Sequence, residues 1–316
     1  MQRFLFPIFL LFIISNPCQS EINPVSLPYL MQKEFDGRGL KLVRVLEKNN
    51  YYTKYYINYK SGNLNISGIL DKPNGTGPFP VIITCHGYIN TKIYTTGRGL
   101  KREQDYFAKR GYIVLHPDYR NHAGSDKDPD ANLNLNLGNT EDVINAIYSI
   151  KNSGYTFFDK EKVGLLGHSL GGGIGLNIMV SKPDLVQAYV LFAPVSSDYR
   201  DNFNRWILRR SEQKFGPPET TNKIIERFGS PESNPEFWDN MSAKTFFKMI
   251  NSPIMLHQGT ADKSVPPEWS DRLSKLLKEH RKKITYYAYD REPHEFINKW
   301  PLVMKRSLDF FDSYLK

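Results

Sequence analysis

From Val81 onward the chain alternates short apolar runs with longer segments of helical period, and few architectures accept that order. Val81-Ile82-Ile83-Thr84-Cys85 is apolar without a period of two, which marks a strand buried on both faces. In turn follow a helix near 99–110, strand 112–115, helix 139–152, strand 162–167, helix 170–181 and strand 188–193. Beyond an irregular stretch come strand 253–257, helix 267–280, strand 284–289 and helix 298–315. Such alternation builds a parallel sheet with helices on both faces, and its sites gather at the carboxyl ends of the strands. Ahead of it, after a Pro-rich linker, residues 40–47, 51–59 and 64–70 alternate apolar and polar side chains between the turns Asn49-Asn50 and Ser61-Gly62-Asn63. They read as antiparallel strands that open the sheet.

The rhythm breaks between Ser196 and Ile250, a stretch carrying Trp206, Trp238 and the pairs Pro217-Pro218 and Asn234-Pro235. We read it as a mostly helical insertion that lies over the strand ends and walls a substrate pocket. A chain of 316 residues then accommodates one large α/β domain over 21–316. The first 20 residues stand apart, since Arg3 precedes the apolar run Phe4 to Ile14 and Pro17-Cys18-Gln19-Ser20 ends it with small residues. This pattern predicts a secretory signal peptide cleaved after Ser20, and with it a secreted or periplasmic protein. About eleven apolar residues are too few to span a bilayer, so stable membrane insertion is not expected. Lipid attachment at Cys18 is the alternative reading of that segment.

If Cys18, one of the two cysteines, leaves with the leader, Cys85 is alone and no disulfide framework can form. Its place in an apolar strand reads as a small buried hydrophobe. The formal net charge of +9, or +8 without Arg3, is scattered, with short clusters only at Arg209-Arg210 and Arg281-Lys282-Lys283. No aromatic and basic face of the kind that grips single strands is present, which argues against a nucleic-acid partner. There is no H-E-x-x-H pattern either, and neither a metal nor another cofactor is expected. The oligomeric state is not legible.

Within the alternation, Gly167-His168-Ser169-Leu170-Gly171 joins a strand directly to a helix and fits the G-x-S-x-G nucleophile elbow. Glycines flank the serine because a hydroxyl projects from so tight a turn only where no Cβ collides with neighbouring backbone. Ser169 then stands at a helix N-terminus, where unpaired N–H groups stabilise a developing oxyanion. A serine hydroxyl needs a base to take its proton, and the base needs a carboxylate to fix its tautomer. His168, beside the nucleophile, is turned away from it. His86 adjoins a turn, His116 and His257 close strands, His122 sits in a loop and His280 ends a helix. That leaves His294, in the loop after the last strand, as general base and acid. Asp262 follows the preceding strand and gives the order Ser169, Asp262, His294 that this elbow class uses, with Asp290 as the rival carboxylate. His86-Gly87-Tyr88 follows the strand 81–85, so the Tyr88 N–H is the candidate to join that of Leu170 in an oxyanion hole. The Tyr88 side chain has two readings: a hydroxyl that faces the pocket, or an aromatic packed on the sheet top. Asp118 and Arg120 read as a pair that braces the active-site loops.

With these residues in place the chain resembles the α/β-hydrolases, and among them the catalytic domain of the prolyl oligopeptidase (S9) family and its esterase relatives. Pro117-Asp118-Tyr119-Arg120 through Gly124-Ser125, Gly167-His168-Ser169-Leu170-Gly171-Gly172 and the segment Gly259 to Pro266 carry the likeness, which spans residues 64–316. It implies an α/β-hydrolase fold: a mostly parallel sheet with antiparallel N-terminal strands, helices on both faces and a helical insertion over the strand ends. Two departures stand out. The length leaves no room for the N-terminal β-propeller of the larger peptidases, and Glu292-Pro293-His294-Glu295 replaces the glycine-rich surroundings usual for the histidine. The first reading is a secreted serine hydrolase of carboxylesterase type that acts through an acyl-enzyme on a small-molecule ester. The second is an S9-type peptidase, aminoacyl or dipeptidyl peptidase-like, that cleaves short peptides without a propeller. The third is a non-catalytic binding protein that keeps the fold as a scaffold.

Overall fold

The computed structural model describes residues 22–209 and 218–316. The leader expected over residues 1–20, Cys18 included, lies outside the described residues. Strands β1 (Arg38–Lys48), β2 (Tyr52–Ser61) and β3 (Leu64–Pro73) form the antiparallel opening that their alternation predicts. Strands β4 (Phe79–Cys85), β5 (Ile113–Pro117), β6 (Phe158–His168), β7 (Ala188–Phe192), β8 (Ile254–Gly259) and β9 (Ile284–Tyr289) follow, and all pair in parallel. The order is β1-β2-β3-β5-β4-β6-β7-β8-β9, with β5 antiparallel to β3. The central strands are solidly apolar because both their faces are covered: all five residues of β5 and of β7 are buried.

Helices cover the sheet on both sides. One face carries α3 (Gly138–Lys151) and α4 (Leu170–Ser181), whose Val143, Ile147 and Ile178 pack with Ile83, Leu115 and Leu165. The other carries α2 (Lys101–Ala108) and the C-terminal helix Trp300–Leu315, where Phe107 and Phe311 meet Tyr112 and Ile82. The Pro-rich linker holds one regular element. Leu27–Gln32 forms a short helix, α1, capped by the Ser26 hydroxyl, which accepts from the Tyr29 N–H at 3.2 Å and so buries Leu27 and Leu30. Among the described residues no helix is long and apolar enough to cross a membrane.

The insertion is helical, as its composition suggests. It runs through α5 (Tyr199–Asn202), a π-helical stretch Phe203–Leu208, α6 (Pro218–Phe228), α7 (Pro235–Asn240) and a 3₁₀ stretch Ala243–Met249. Trp238 is fully buried against Phe203, ring centroids 4.5 Å apart, and roots the insertion in the same core as α4. Beyond it, α8 (Pro267–Glu279) and α9 (Trp300–Leu315) complete the molecule.

Candidate active site

The elbow forms where the glycines demand it. β6 ends at His168, α4 begins at Leu170, and Ser169 between them takes φ 56° and ψ −117°, a conformation that costs a non-glycine residue about 1–3 kcal/mol. A Cβ at Gly171 would overlap the carbonyl oxygen of Cys85, and one at Gly167 the carbonyl of Gly171. The Leu170 N–H, first in its helix, and the Tyr88 N–H donate to no other described residue. Tyr88 itself is 69% exposed, so its ring does not pack on the sheet top; it stands at the mouth of a cleft shared with Leu170.

Asp262 and His294, 32 residues apart, meet: His294 Nδ1 donates to Asp262 Oδ2 at 2.6 Å. The carboxylate also accepts from Gln258 Nε2 at 3.1 Å and from the N–H groups of Ser264 and Val265 at 2.8 and 2.9 Å. Burial alone would raise its pKa, but the bond from His294, followed by the Val265 N–H and Gln258, holds it below the ordinary carboxylate value. A carboxylate so fixed stays ionised and pins the imidazole tautomer, leaving the other ring nitrogen unprotonated. The loops that carry Asp262 and His294 are pressed together at Gly259, where a Cβ would overlap the Glu292 carbonyl. The rival Asp290 is exposed and, among the described residues, its side chain pairs only with the exposed Arg291.

His168 has a part that the sequence reading did not assign to it. Its Nε2–H donates to the His294 carbonyl at 3.1 Å and its ring lies 4.3 Å from the His294 ring, so it faces the base loop and holds it over the elbow. Burial, then the neighbouring His294, pushes its pKa down to about 3, and it serves as a neutral donor. Nothing in sequence marks this, because the direction of a side chain next to a left-handed residue is not a matter of spacing. The Ser169 hydroxyl itself is hydrogen-bonded to no other described residue; His294 reaches the elbow through His168.

Asp118 and Arg120 do not pair. Asp118 accepts from Ser67 Oγ at 2.6 Å, Tyr94 Oη at 2.9 Å and the Gly97 N–H at 2.9 Å, and so fastens the loop after β4. Arg120 is bidentate to Asp142 at 3.0 and 2.8 Å and reaches Asp128 and Glu141 at 3.0 and 3.1 Å, tying the loop after β5 to α3. The two side chains serve the loops on either side of Tyr119, whose ring stacks on His86 at 4.2 Å. Tyr94 stacks on the other side of His86 at 4.9 Å, which sets the backbone that leads to Tyr88. The insertion closes the opposite wall: Arg205 donates to the carbonyls of Ser264 and Lys263, both at 3.1 Å, and the Tyr199 hydroxyl to that of Leu135 at 2.8 Å.

Known proteins share this frame. The acylamino-acid-releasing enzyme of Rattus norvegicus is 22% identical over 250 residues, 75% of this chain and 32% of that protein. The chain spans about a third of the length of the curated relatives it matches. Among solved structures, the Pyrococcus horikoshii acylaminoacyl peptidase superposes with a TM-score of 0.66 at 21% identity, over 85% of this chain and 43% of that one. Acetyl xylan esterase 1 from a Thermoanaerobacterium species gives 0.62 at 18% identity over 90% and 91% of the two chains. These likenesses bear on fold. A model of the prolyl oligopeptidase family matches residues 99–316, which take in the elbow, both facing loops and the insertion: the chain belongs to that family.

Proposed function

We propose that this serine hydrolase is a carboxylesterase that uses Ser169 as nucleophile, His294 as base and acid, Asp262 as orienting carboxylate, and the N–H groups of Tyr88 and Leu170 as oxyanion donors. The observation that carries the reading is the short Asp262–His294 hydrogen bond set against a strained serine with two unpaired N–H groups beside it. Substrate brings Ser169 and His294 into contact, since such bonds are often long before the site is filled. The Ser169 oxygen bonds to the carbonyl carbon and its proton passes to His294. The tetrahedral oxyanion then collapses, the leaving alcohol departing with that proton. Water attacks the acyl-enzyme by the same route and returns the proton to Ser169, releasing the acid.

Ester is favoured over aminopeptidase substrates because an N-terminal ammonium needs an unengaged carboxylate. Asp128, the carboxylate lining the cleft beside Tyr88, is already bound by Arg120. Fluorophosphonate labelling with mass mapping should place the adduct on Ser169, and a panel of acyl esters and aminoacyl amides should show turnover of the esters. Labelling elsewhere defeats the nucleophile assignment; amide cleavage without ester cleavage restores the peptidase reading. Turnover should persist in EDTA.

A further inference from the structure

Two pockets flank Leu170, and their chemistry differs. The larger is a cleft of about 380 Å³, within the range of small-molecule sites, which Tyr88 and Leu170 place against the two free N–H groups. Asn139 in its wall is only 5% exposed, yet the carboxamide bonds to no other described residue. Thr91, Asn132 and Tyr88 are exposed and Asn136 is half-buried, and their side chains likewise bond to no other described residue. His86, also in the wall, keeps a buried Nε2 without a partner. Buried polar groups are ordinarily satisfied, so Asn139 and the His86 Nε2 point to a ligand that both donates and accepts, and the exposed amides and hydroxyls offer it further partners.

Of the charges in the cleft, Arg120 and Asp128 are paired, and Lys127 is exposed. Arg120 is held by Asp128, Glu141 and Asp142, and Lys127 donates to the Asn121 carbonyl at 3.0 Å. The rest of the wall is rich in amide and hydroxyl, which suit a group with several hydroxyls, and an alkyl chain would leave the buried Asn139 carboxamide without a partner. The smaller pocket, about 70 Å³, is walled by Leu137, Ile174, Val195 and Met241 together with polar residues such as Thr140 and Asn177, and has room only for a short chain. A carbonyl whose oxygen faces the Leu170 N–H carries one substituent to either side of it, one for each pocket.

We infer that the substrate is an ester of a short acid with a hydroxyl-rich alcohol, a sugar or similar polyol, whose alcohol seats in the larger cleft and whose acyl chain enters the smaller pocket. The inference rests on the carboxylesterase reading. The acyl carbon exchanges its bond to the sugar oxygen for one to Ser169, the sugar leaves with the proton from His294, and water then releases the short acid.

A matched pair tests it on the full chain: a monoacetylated methyl glucopyranoside and cyclohexyl acetate, which share acyl group and ring size and differ in hydroxyls. Each kcat/KM is divided by the hydroxide-catalysed rate constant of the same ester. The sugar ester should lead by about tenfold or more, since a site built to bond hydroxyls discriminates against the analogue lacking them. In Asn139→Leu that lead should shrink toward one, and Asn136→Ser, outside the helix, should shrink it where the first variant fails to fold. A lead absent from the parent chain, or unchanged in folded variants, overturns the inference. p-Nitrophenyl acetate turnover and Ser169 labelling report separately on the esterase reading: if they persist while the lead is absent, the cleft inference falls alone. If only aminoacyl amides are cleaved, both fall.

Discussion

Three side chains are held by constraints that differ in kind: Ser169 by backbone sterics, Asp262 by four hydrogen bonds, and His294 by Asp262 on one side and His168 on the other. Ser169→Ala and His294→Ala should each lower ester turnover by about 10⁴- to 10⁶-fold, leaving a remnant from the oxyanion donors, as steady-state kinetics on labelled-site-verified protein will show. Away from the site, Asp71 is buried opposite Lys54 at 3.4 Å across β2 and β3, and burial outweighs that attraction to push its pKa up to about 7. The folded chain therefore binds a proton more tightly than the unfolded chain, whose carboxylate titrates near 4. Stability from this group is present at low pH and falls as pH rises from about 4 to 7. Asp71→Asn removes that dependence. Urea denaturation should find the variant about 1–3 kcal/mol more stable than the parent at pH 8, and the gain should vanish near pH 4.

At the scale of elements, loops rather than strands assemble the site, and charge fixes the loop after β5. Arg120 lies buried against three carboxylates on that loop and on α3. Arg120→Met leaves those carboxylates uncompensated and should cost about 3–5 kcal/mol in denaturant unfolding, with loss of activity beyond the loss of folded protein because the wall carrying Asn136 and Asn139 loosens. The elbow was readable beforehand because its glycines stand at a fixed spacing around the serine, although the carbonyl that excludes a Cβ at Gly171 belongs to distant Cys85, and the strand ends because apolar runs report two-sided burial. The partners of Arg120 were not: they lie 8, 21 and 22 residues away, and only the packing of α3 against β5 decides that Asp142, and not the nearby Asp118, faces the guanidinium. His168 escaped for the same reason, its partner being a carbonyl 126 residues on. The place of β5 between β3 and β4 is likewise a matter of crossover, which periodicity along one strand does not encode.

In the whole molecule, α4 occupies a special position. It is buried on nearly every side, touching β4, β6, β7, α1, α3 and the 3₁₀ stretch of the insertion. The outer helices α6 and α8 instead keep a polar side toward water. Partial openings of a native protein begin where few buried contacts must be broken, and the centre opens last. The serine is thus anchored in the part of the chain that only complete unfolding can release. Its reactivity becomes a sentinel of global cooperativity: in a urea titration, fluorophosphonate uptake should disappear in step with the main unfolding transition. Amide protons of 218–240 should exchange with deuterium through smaller excursions, at denaturant concentrations that leave the serine fully competent.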